Sequence, residues 1–299
     1  MTNYPGGFPG GVALYQQVQT LGDGSGSTYF VDDNSGNDGN NGSSWEDAFK
    51  TLAVAFAASH ADIARGSDRW ARRNTIYVAG GAFVEDLKIF PQKTDVIGVG
   101  SVSGNKYARI TGDHAPVNAG VGCRFINCAF DPTSAGVNIT LTGACWGAEF
   151  IGCKFYYATA AVVATCAILS TASPHLHIEG CDFMGAYSGD VIDIAAGDIA
   201  QTRIIGNTII GGANDGIVVS GVATCAGSKR GLIADNYISV VGKTIDTRAT
   251  SVFDVVNNRL MSATALLTPS DVFVIDRDFA SGNLVAGAGV TITIPTVDT

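Results

Sequence analysis

The chain has 299 residues, of which 46% are hydrophobic and only 15% charged, with 38 Gly and a formal net charge of −9. So little charge, against about 25% in an ordinary soluble domain, excludes a disordered chain, and the wealth of Gly excludes a bundle of long helices. With 18 basic residues against 27 acidic ones, nucleic acid is not expected as a partner, because phosphate binding needs clustered Lys and Arg.

Segment 1–28 opens MTNYPGGFPGGV and has neither a basic nor an apolar leader pattern, so no secretory signal is read there and synthesis inside a cell is expected. Pro and Gly sustain neither helix nor central strand. The segment is therefore expected to be an extended arm that docks on a partner through Tyr4, Phe8 and Tyr15. Segment 29–72 reads as a strand, an acidic Gly-rich loop and a capping helix. Ser44 is expected as its N-cap with Asp47 at the third helical position, and Phe49, Leu52, Ala53, Phe56 and Ala57 as its apolar face. The loop carries Asp32, Asp33, Asn34, Asn37, Asp38, Asn40 and Asn41. Turn chemistry is the preferred reading, with Ca²⁺ held by Asp32 and Asp38 as the alternative, although the spacing fits no EF-hand.

From 73 to 265 the chain repeats. Six segments share the pattern apolar, any residue, Asn/Gly/Asp, Cys/Asn, any residue, Phe/Ile/Leu: FINCAF from Phe125, FIGCKF from Phe150, IEGCDF from Ile178, IIGNTI from Ile204, IADNYI from Ile233 and VVNNRL from Val255. Their fourth positions are Cys128, Cys153, Cys181, Asn207, Asn236 and Asn258, with a mean interval of (258 − 128)/5 = 26 residues. A period of this length with short strands and no amphipathic helix predicts a solenoid. The expected fold is all-β, a single-stranded parallel β-helix whose coils stack at about 4.8 Å. The flanking apolar positions should point inward, and the fourth positions should stack as an internal ladder in which Asn bonds to Asn and Cys acts as a small apolar filler. The 7 Cys form no CxxC or CxxH pair, so free thiols and no zinc site are expected. The longest apolar run, Ala158 to Leu169, is shorter than the roughly 20 residues of a membrane span, so no membrane partner is expected. Segment 266–299 should form a strand-rich carboxy-terminal cap or intersubunit strands.

The string YFVDDNSGNDGNNGSSWEDAFKTLAVA followed by TIYVAGGAF resembles the start of pectate-lyase-like β-helix proteins, a superfamily that includes polysaccharide lyases, glycosidases and phage virion proteins, and the likeness extends over residues 29–260. It implies a right-handed β-helix. The PGGFPGGV arm resembles the starts of tailed-phage β-helix structural proteins, which implies a homo-oligomer, with a trimer favoured.

Carboxylates on one face would be needed for glycoside chemistry. Asp190, Asp215 and Asp246 follow their ladder positions by 9, 8 and 10 residues, so they are the candidates for a stack on adjacent coils, though turn residues entering a strand have the same pattern. His175 and His177 are expected on opposite faces of one strand. The polygalacturonase-like signatures are missing: Asn207 begins NTI in place of NTD, and the basic residues Arg203, Lys229, Arg230, Lys243 and Arg248 are scattered. No catalytic residue and no cofactor are therefore assigned. The expected function is a virion structural protein, assembled in a host cytoplasm, that decorates or cements a phage capsid by binding the major capsid protein or another virion protein. The alternative is a carbohydrate-active or carbohydrate-binding β-helix, a short tailspike or depolymerase.

Overall fold

In the computed structural model, the residues described are 26–65, 71–100, 107–117, 120–133, 135–156, 164–195, 200–219, 231–247, 253–262, 265–268 and 273–275. The sequence-predicted docking residues Tyr4, Phe8 and Tyr15 lie outside them, as do residues 276–299 of the expected cap and the basic residues Lys229, Arg230 and Arg248.

The described chain is a parallel β-helix with one α-helix. Three parallel sheets of 10, 8 and 6 strands line the stack, here called I, II and III, the third beginning only at Val137–Leu141. Each coil visits them in turn: Glu149–Ile151 belongs to sheet I, Lys154–Tyr156 to sheet II and Cys166–Ser170 to sheet III. Strand pairing is parallel and in register, so Phe150 lies between Phe125 and Ile178. Phe155 lies in the same way between Phe130 and Phe183. Six coils contribute to all three sheets, and the earlier strands Thr28–Val31 and Gly81–Val84 begin sheets I and II.

The local cause is a left-handed residue at each corner of sheet I. At the exit corner stand Asn127 (φ 55°), Gly152 (58°), Gly180 (61°), Gly206 (65°), Asp235 (57°) and Asn257 (55°), the third position of the repeat. Only Gly, Asn and Asp visit this region at low cost, which explains why the repeat admits those three types alone. The entry corner has a second such column, Lys93 (45°), Gly122 (68°), Gly147 (67°), His175 (58°) and Gln201 (59°). It has no consensus residue type, so the repeat pattern did not reveal it. Between two left-handed corners a strand of sheet I has room for four residues, alternating in and out.

The inward positions form the core. Sheet I supplies Phe125, Phe150, Ile178, Ile204 and Ile233, and sheet II supplies Phe130, Phe155, Phe183, Ile209 and Ile238, all buried. The rings stack along the axis: Phe155 lies 4.5 Å from Phe183 with planes 4° apart, and Phe130 5.3 Å from Phe155. Offset pairs of this kind add about 0.5–1.5 kcal/mol each beyond area burial.

The helix, α1, spans Leu52–Arg65, later than its predicted start. Residues 45–50 cannot be helical because Phe49 bridges Val31, its N–H donating to the Phe30 carbonyl at 2.9 Å. Ser44 instead accepts the Asp47 N–H in a local turn, and Thr51 takes the cap position, its hydroxyl accepting the Val54 N–H. The buried face is Leu52, Ala55, Phe56, Ser59 and Ile63. Ala53 and Ala57, expected in it, are exposed. Phe56 brings its ring to 6.0 Å from Phe125. The loop before α1 also occupies the free edge of the first strand, Thr28–Val31: Phe30 donates to Gly42 and Asp32 to Phe49.

At the other end the coils run past residue 265. Ala265–Thr268 pairs with Lys243–Thr247, and Phe273–Ile275 with Phe253–Val256, both parallel, so the expected boundary between 265 and 266 falls inside a strand of sheet III.

Candidate functional site

The ladder is internal. Cys128, Cys153, Cys181, Asn207, Asn236 and Asn258 are all buried, each directly after a left-handed residue. Their bonding follows one rule. From Cys181 onward each side chain donates to the carbonyl of the first repeat position one coil earlier and accepts the backbone N–H of the previous ladder residue. Asn207 donates to Ile178 at 3.0 Å and accepts from Cys181 at 2.8 Å. Asn236 donates to Ile204 at 2.9 Å and accepts from Asn207 at 2.9 Å. Asn258 donates to Ile233 at 3.0 Å and accepts from Asn236 at 3.0 Å. Cys181 obeys the whole rule and Cys153 its donor half, contrary to their expected role as plain fillers. Cys181 donates its S–H to Phe150 at 3.3 Å and accepts from Cys153 at 3.4 Å, and Cys153 donates to Phe125 at 3.3 Å. Burial pushes the Cys128 and Cys181 thiols well up, which keeps the proton that makes the bond. The six described cysteines are free.

The three candidate aspartates are not one column. Asp190 and Asp215 occupy equivalent positions, two residues before the paired Ile192 and Ile217. The equivalent in the next coil is Lys243, two residues before Ile245, whereas Asp246 stacks on Val218. All three carboxylates hold structure. Asp190 accepts from Asn214 at 2.7 Å, Asp215 from the Lys243 N–H at 2.6 Å, and Asp246, nearly buried, pairs with the Lys243 ammonium at 2.8 Å. The Ca²⁺ candidates are similarly committed. Asp38 accepts the Lys50 N–H at 3.0 Å, the Thr51 N–H at 2.9 Å and the Thr51 hydroxyl at 3.0 Å. Asp32 accepts from Asn34 and Ser35, and the Ser35 hydroxyl holds its carboxyl below the usual range.

The outer face of sheet I was not singled out from the sequence. One row, in register, reads Asp95, Arg124, Glu149, His177, Arg203, Leu232, Asp254. Neighbours of opposite sign pair along it. Asp95, buried, takes Arg124 at 2.5 Å and Arg73 at 2.6 Å, while His177 lies 3.0 Å from Glu179 and 4.0 Å from Glu149. The second row reads Ile97, Ile126, Ile151, Glu179, Ile205, Ala234, Val256. It is the second position of the repeat, which the pattern leaves open to any residue, and it is apolar in every coil but one. His177 stands in the outer row with Leu176 buried before it, whereas His175 lies outside the strand, at the left-handed entry corner, so the two do not alternate along one strand as expected. The His175 ring lies 5.5 Å from that of Trp146, which is 49% exposed.

No family model matches the chain, and no curated protein or solved structure is significantly similar to it.

Proposed function

We propose that the chain is a structural protein of a tailed-phage virion, a capsid decoration or cement protein in which segment 1–28 docks on the major capsid protein or another virion protein and the β-helix projects. The observation that carries this reading is the commitment of Asp190, Asp215 and Asp246 to hydrogen bonds that hold turns and strands. An acid and base pair needs carboxyl groups that face a substrate together. Here the third candidate sits in another column, beside a buried valine. What remains is a body whose backbone is tied coil to coil by side chains. The resemblance of PGGFPGGV to phage arms, and the apolar second row on sheet I as a surface for like copies in a trimer, support the same reading.

The test is mass spectrometry of density-purified particles from a culture producing the phage that encodes this chain. A fixed ratio to the major capsid protein, retained after a high-salt wash, is expected. The carbohydrate reading rests on the exposed Trp146 beside His175. Cleavage of bacterial polysaccharide that Asp215→Asn abolishes in a folded protein would replace the structural reading with it.

A further inference from the structure

His114 sits where three parts of the chain meet. Its N–H donates to the Asn138 carbonyl and its own carbonyl accepts from Thr140, so its backbone is held against sheet III. Its ring is buried, edge-on to Phe130 with centroids 5.7 Å apart. Nδ1 accepts the Leu87 N–H at 3.2 Å, which places the ring proton on Nε2, for which no well-formed hydrogen bond is found among the described residues. Leu87 is itself buried in the core. Two residues before it, Glu85 accepts the Leu52 and Ala53 N–H groups, both at 2.9 Å, at the start of α1. One short segment thus joins the imidazole to the helix.

We infer that His114 is an acid-operated latch: protonation turns Nδ1 from acceptor to donor against the Leu87 N–H, frees segment 85–87, and through Glu85 loosens the start of α1 while the stacked coils remain closed. The charged groups facing the ring are Asp86, Asp113 and Lys88, of which the two carboxylates partly offset burial. Burial dominates and holds the His114 ring down at about 4, against 6.5 for a free imidazole. The sign follows. A depressed imidazole contributes stability that is complete above the unfolded value of about 6.5 and is lost as pH falls through about 4. Glu85 works the other way. Burial, reinforced by Asp38 and Asp33 and opposed by its two N–H bonds, holds its carboxyl above the usual range, so its protonation adds no acid instability and the effect belongs to His114.

Hydrogen exchange of the full chain, corrected for the intrinsic pH dependence of exchange, tests this at pH 7, 5 and 4. Peptides covering 46–57 and 84–90 should lose protection at least tenfold between pH 7 and 4, and peptides covering 203–219 should not. His114→Gln, which keeps an acceptor that does not titrate, should abolish the difference. An imidazole titration followed by NMR in the unsubstituted protein guards against misfolding of that variant. Protection of 84–90 unchanged at pH 4, or a His114 titration near 6.5 without a shift of the Leu87 amide, would overturn the latch.

Discussion

A single asparagine of the ladder serves three backbone or side-chain partners at once, so its replacement shows how much of the fold rests on side chains. Asn207→Leu strands the Cys181 N–H and the Ile178 carbonyl and takes one donor from Asn236. The expected loss is on the order of 3 kcal/mol, read from urea unfolding. Asn207→Cys should lose far less, about 1 kcal/mol or under, because a thiol already makes both bonds at Cys181. Equal losses for the two would deny that thiols hydrogen-bond in this column. One residue earlier, Gly206 has φ 65° and open space around a built Cβ. Gly206→Ala should therefore cost only the left-handed backbone penalty, about 1 kcal/mol, and Gly206→Asn should recover most of it, since Asn occupies the same place at 127 and 257. A denaturation midpoint for the Asn variant below that of the Ala variant would contradict this account of the corner.

At the scale of elements, the strands that leave sheet I were legible because Asn, Gly, Asp and Cys recur there at a fixed interval. The entry corner was not, since Lys93, Gly122, Gly147, His175 and Gln201 share a conformation without sharing a chemistry. The start of α1 was misplaced for a related reason. Ser44 followed by Asp47 has the form of a helix start, but Phe49 is drawn into a bridge with Val31, and the donors of the true start are met by Asp38 and Glu85, distant in sequence. The two Asp/Glu contacts give a prediction. Glu85→Ala should destabilise α1 by about 1–2 kcal/mol, the range for losing a cap. Glu85→Gln should cost less, because burial already disfavours the charge and the amide oxygen still accepts. Thermal melts followed by circular dichroism at the helix band would separate the two, and an unchanged melt for Glu85→Ala would deny the clamp.

For the whole molecule, the 26-residue interval carried the architecture because parallel stacking requires equivalent residues to meet one coil apart. The surface was less legible. Whether Asp190, Asp215 and Asp246 share a column depends on register, and the last of these coils reaches its sheet III strand by a shorter turn, which puts Lys243 where a third aspartate was expected. The Ile97, Ile126 and Ile151 row was hidden by its place in a position open to any residue. In the function proposed above, docking carries the functional weight. The most direct measurement is the copy number per particle, by quantitative mass spectrometry, of the full chain and of a chain lacking residues 1–24, each supplied to particles that carry no wild-type copy. The account predicts a truncated protein that is soluble, keeps the β-sheet circular dichroism of the full chain and is missing from particles. Incorporation of the truncated chain at normal occupancy would contradict it.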